Sequence, residues 1–101
     1  MSTELPHGLQ VYKRTPTFTE ATIPAGLLDQ HSTKPGTWGL IRVDEGCLRY
    51  LITDHRRPAS ECMLTPEGPP GVVEPTILHR VEPVGTVLFH VEFAREASTN
   101  Q

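Results

Sequence analysis

Thr86-Val87-Leu88-Phe89-His90-Val91-Glu92-Phe93 decides the fold class of this chain, because it alternates apolar and mixed positions with a period of two. Val87, Phe89, Val91 and Phe93 are β-branched or aromatic, the side chains that pack best on a pleated surface. This is a strand. Working outward, glycine and proline cut the rest of the chain into similar short pieces: Leu9 to Arg14, Ala21 to Leu28, Thr37 to Asp44, Cys47 to Thr53, Cys62 to Thr65, Gly71 to Glu74 and Leu78 to Glu82. Ten prolines and eight glycines in 101 residues exclude a helical bundle. Eight short strands with turn chemistry between them predict an all-β sandwich or barrel, with no helix longer than two turns.

The turns are readable too. Asp44-Glu45-Gly46 predicts a tight hairpin with glycine at positive φ, and Pro83-Val84-Gly85-Thr86 predicts the hairpin joining the last two strands. Pro66 to Gly71 reads as a rigid surface loop and Asp54 to Ser60 as an exposed connection. The ends, near 1–8 and 96–101, are expected to fray, leaving one domain over 1–101. Leu, Ile, Val and Phe make up about a quarter of the chain, enough for a thin core. A net charge of −3 gives no footprint for nucleic acid or an anionic membrane. No apolar run spans a bilayer and no signal peptide stands at the start, so the expected setting is the cytoplasm. Cys47 and Cys62 form no disulfide framework or zinc-finger spacing.

If residues 83–86 close a hairpin, His79 faces His90, or Glu92 in a register two residues wider. Either way His79, His90 and Glu92 share one sheet face. The same arithmetic turns Phe89, Val91 and Phe93 to the other face, so either a bulge shifts the register or both faces are buried, the second against a partner subunit; a homodimer is expected. Two imidazoles and a carboxylate converging in a barrel suit a divalent metal (Zn, Fe, Ni or Mn) with positions open to a small molecule. Scattered structural residues are the competing reading. The remaining cluster candidates are Lys34, able to hold an anion, Trp38, lining a pocket or filling the core, and Tyr50.

Val11 to Pro16, Pro24 to Leu28, His31 to Gly39, Gly46 to Tyr50, Gly71 to Pro75, His79 to Pro83 and Phe89 to Phe93 together resemble the TehB/YeaR-like family associated with tellurite resistance. The resemblance follows nearly the whole chain in order. It implies a branch of the cupins, with a double-stranded β-helix jelly roll. In the cupin pattern Glu74-Pro75 leads into His79 as a metal ligand, and His31 is the remaining histidine of the first motif. Gly39 stands where that motif has a glutamate, so Glu92 is the expected substitute. The reading on sequence is therefore a metal-binding cupin holding its ion through His31, His79 and Glu92, with Lys34, Trp38, His90 and Tyr50 around a possibly anionic ligand. A non-catalytic sensing module and a metal-free dimeric domain are the alternatives; turnover is left open.

Overall fold

Two long strands carry the structure, a computed structural model that describes residues 8–96. β3 (Trp38–Ile52) and β6 (His79–Glu96) run antiparallel from Trp38 opposite Ala94 to Ile52 opposite His79. Four shorter strands complete one six-stranded antiparallel sheet. β1 (Leu9–Arg14) and β2 (Phe18–Thr19) pair with β6, while β4 (Ser60–Leu64) and β5 (Gly71–Val73) pair with β3. The all-β expectation is realised. The narrower one, a cupin-type jelly-roll barrel, is not established by this pairing.

Neither predicted hairpin forms. The glycines expected to turn the chain do have positive φ, 84° at Gly46 and 72° at Gly85, but both lie inside the long strands. There they bend the β3–β6 ribbon while pairing resumes on either side, with register shifts between Val43 and Glu45 and between Gly46 and Cys47. Gly46 has no room for a side chain: a Cβ would sit on the Thr86 carbonyl oxygen. The predicted strands 37–44 and 47–53 are thus one strand, as are 78–82 and the tail. The predicted strand over 21–28 is instead a turn and a four-residue helix, α1 (Ala25–Leu28). Pro24, already at φ −57°, precedes it, and its carbonyl accepts from Leu27 N at 2.9 Å.

The inner face of the bent ribbon gathers the core. Leu48, Val81, Val87 and Phe89 are fully buried there, joined by Ile41, Val43 and Val91 and by Leu64 and Val73 from the shorter strands. The Phe89-Val91-Phe93 face is therefore the interior of the protein, and the argument for a dimer to cover it lapses.

The connection after β3 is anchored from within. Asp54, predicted on an exposed segment, is buried; its carboxylate accepts from Arg56 N (2.8 Å), Nε (2.9 Å) and Nη2 (2.7 Å) and from Leu78 N (2.9 Å). The Arg56 side chain first, then the two backbone N–H groups, hold its carboxyl far below the ordinary range. The fraying expected near the ends falls almost wholly outside the described residues. No helix among those described is long and apolar enough to cross a membrane.

Candidate functional site: a cavity with two imidazoles

Between the inner face and α1 lies a cavity of about 210 Å³. Phe18, Leu27, Ile41, Val73, Phe89 and Phe93 supply much of its apolar wall, and His31 and His79 its imidazoles. Gly39, where the cupin pattern has its glutamate, also lines it; a Cβ there would already lie 3.1 Å from Val73 Cβ. Any side chain at that position would have to push Val73 aside by a few tenths of an ångström.

A short bridge brings the two histidines together. His31 N donates to His79 O at 2.8 Å, and His79 N donates back to His31 O at 2.9 Å. Their rings meet edge to face, with centroids 5.5 Å apart at 83°. The Tyr50 ring also meets His79 edge to face, with centroids 5.8 Å apart, and its hydroxyl donates to Val72 O at 2.9 Å. Burial, then the nearby Glu74 charge, pushes the Tyr50 phenol above its usual range. His79 is 3% exposed, and burial is the main reason that its pKa falls below the ordinary histidine value. The Ile77 carbonyl works the other way, 3.2 Å from Nδ1, and His31 adds to the lowering.

The other predicted site residues stand elsewhere. Glu92 and His90 occupy the opposite face of β6, where His90 Nδ1 donates to Asp44 Oδ2 at 3.1 Å and Glu92 Oε1 accepts from Arg42 Nε at 2.7 Å. Burial alone would raise Glu92; Arg42 and His90 together more than offset it and hold its pKa below the usual carboxylate value. Trp38 is half-buried opposite Ala94, away from the cavity wall. Lys34 lines a separate open groove with Tyr12 and Arg95, whose guanidinium lies 4.1 Å over the Tyr12 ring. Of the predicted cluster, only His31, His79 and Tyr50 come together.

One wrong turn explains the scatter. A hairpin at 83–86 would have reversed the chain and put His79 opposite His90 or Glu92. In the continuous strand His79 instead keeps the alternation of Val81, Val87, Phe89 and Val91, and even-numbered His90 and Glu92 point away. Phe18, Leu27 and Gly39, the cavity residues that sequence reasoning missed, carry no motif. The available signal was that His79 and Phe93 stand at odd-numbered positions, in step with one period of two on either side of residues 83–86.

The TehB-like domain matches residues 13–91 of this chain. It belongs to the TehB-like family. TehB of Haemophilus influenzae strain Rd, named a probable S-adenosyl-L-methionine-dependent methyltransferase, is 39% identical over 72 residues. That match takes in 70% of this chain and 25% of the relative; TehB of strain 10810, with the same name, is 38% identical over the same length. The chain thus spans about a quarter of the length of these curated relatives. The crystal structure of Haemophilus influenzae TehB superposes with a TM-score of 0.81 at 30% identity, covering 89% of this chain and 32% of that one. A crystal structure of an Escherichia coli K12 protein superposes at 0.79 and 23% identity, covering 94% and 98%, which shows a shared fold.

These findings correct the expectation of a metal-binding cupin. Among the described residues, no group of three His, Cys, Asp or Glu side chains could hold a metal ion, because Glu92 is turned away from His31 and His79. The TehB relatives are named for an organic cofactor, S-adenosyl-L-methionine, and not for Zn, Fe, Ni or Mn.

Proposed function

We propose that this TehB-like chain is a small-molecule-binding β domain whose ligand occupies the cavity beneath α1. The observation that carries this reading is the wall itself: a preformed, almost wholly apolar cavity with two converging imidazoles. Such a composition, mostly apolar with a few placed polar groups, is the usual character of a ligand site.

S-adenosyl-L-methionine does not fit here. It is drug-sized and carries a sulfonium, a ribose diol and an amino-acid head, and molecules of that size occupy pockets of about 300–1,000 Å³. The cavity is about 210 Å³, and no Lys, Arg, Asp or Glu lines it. Methyl transfer in the TehB relatives is accordingly assigned to the portion that this chain does not match, with the β domain serving a smaller ligand. We place the protein in the cytoplasm, where its two free thiols, Cys47 and Cys62, need no partner.

Methyl-detected NMR of the full chain, titrated with toluene, tests the reading. Resonances of Leu27, Val73 and Val91 move, those of Val11 and Met63 on the surface do not, and Val91→Phe, which fills the cavity, abolishes the response. Toluene leaving the lining methyls unmoved, or S-adenosyl-L-methionine moving them, overturns it.

A further inference from the structure

The polar atoms of the cavity wall are unequal in what they can offer. Besides the histidines, the polar side chains on the wall are Thr15 and Thr33. Both hydroxyl hydrogens are committed: Thr15 donates to Pro16 O at 2.9 Å and Thr33 to Thr37 O at 2.6 Å. No lysine or arginine lines the cavity. An anion entering it would lose its hydration and meet no permanently charged cation.

His79 is different, because its tautomer is fixed by a neighbour that can only accept. The Ile77 carbonyl lies 3.2 Å from Nδ1, so Nδ1 carries the hydrogen and Nε2 presents a bare lone pair. That lone pair has no hydrogen-bond partner among the described residues. It is also not sealed away: among the described residues, the buried side-chain atoms lacking both partner and solvent are Arg49 Nε and His90 Nε2. Nε2 is thus an unpartnered acceptor on a residue that is 3% exposed and lines the cavity. The lowered pKa of His79 agrees with a neutral ring there.

Resting on the cavity being the ligand site, we infer that its ligand is a neutral, largely apolar molecule bearing a hydrogen on oxygen, nitrogen or sulfur, which it donates to Nε2 of His79. Buried acceptors discriminate strongly, since a ligand lacking the donor leaves the lone pair desolvated and unpaired. His31, beside His79, shapes the approach to this acceptor through the edge-to-face contact.

Phenol and toluene, nearly equal in shape, isolate the donated hydrogen. The test is ¹⁵N NMR of the full chain, labelled at its histidine rings, near neutral pH. In the free protein His79 shows a protonated Nδ1 and an unprotonated Nε2. Phenol shifts Nε2 toward its hydrogen-bonded position, and toluene leaves it in place. In His79→Phe the affinity ratio of phenol to toluene falls roughly fivefold, the share of one neutral hydrogen bond. Should that variant fail to fold, the nitrogen shift in the unaltered protein decides alone. Phenol bound with Nε2 unmoved, an unchanged ratio in a folded variant, or a hydrogen on Nε2 of the free protein overturns the inference while leaving the cavity as a binding site. If neither probe binds, the cavity reading fails and the inference with it.

Discussion

His79 and His90 belong to one strand, are 3% and 6% exposed, and have opposite surroundings. His79 lies on the inner face against a backbone carbonyl, another imidazole and an apolar cavity. His90 lies on the outer face between Asp44 and Glu92, with Glu92 bound in turn to Arg42. Equal burial has produced unequal chemistry. His79 is flanked by uncharged groups, whereas Asp44 accepts from His90 Nδ1 and the Glu92 carboxylate stands 3.6 Å from its Nε2.

The largest expected effect is on the inner face. Phe89→Ala removes a fully buried ring beside a cavity that cannot close around the loss, and costs about 3–5 kcal/mol in urea unfolding. A loss below about 1 kcal/mol, the surface-like range, would show that this face is not the core. Next comes the bend that separates the two histidines. Gly46→Val suffers both left-handed strain and the Thr86 carbonyl, for a loss of about 2–3 kcal/mol. Gly85→Ala, whose Cβ meets nothing within 4 Å, loses only the conformational part, about 1 kcal/mol. Equal losses at the two glycines would show that the Thr86 carbonyl does not crowd Gly46.

Acid should separate the inner face by sign. The folded pKa of His79 lies below its unfolded value, so near and below about pH 6.5 the unfolded chain binds more protons. Stability conferred by neutral His79 is therefore complete above that pH and declines as pH falls toward the folded value. His79→Phe flattens the stability profile below about pH 6.5, as read by urea midpoints; an unchanged slope would refute the assignment. The smallest effect belongs to the outer face. Arg42→Ala breaks the pair with Glu92, but Arg42 is 45% exposed, so the loss stays within about 0–1 kcal/mol and shrinks in salt. NMR titration of the variant shows the Glu92 pKa rising as its cationic partner is lost.

The strands themselves were legible because alternation and β-branching act locally. β1 matches its expected limits, and the pieces of β3 and β6 were each seen. Their continuity was not. Gly46 and Gly85 have the backbone angle expected of a hairpin glycine, yet whether such a residue reverses a strand or bends it depends on the partner alongside. That partner is distant in sequence. The site failed with the turn: once residues 83–86 are taken as a reversal, Glu92 is brought to His79, and a metal reading follows from geometry that never forms. α1 was missed because Ala25 to Leu28 is too short to show a helical period, and Pro24 together with the ribbon beneath holds it in place.

The pairing of β3 with β6 also sets the order in which the chain can find its shape. At the Ile52–His79 end the partners are about half as far apart in sequence as at the Trp38–Ala94 end. The shorter loop costs less entropy to close. It is also pre-tied, since Thr53 N and Asp54 N both donate to Leu78 O, at 3.0 and 3.2 Å, while the Asp54 carboxylate takes Leu78 N. The ribbon is thus expected to start at this clasp and zip toward Trp38, with the cavity closing only after both bends have been passed. A protein built on such distant partners folds slowly, and its cavity is among the last parts to exist.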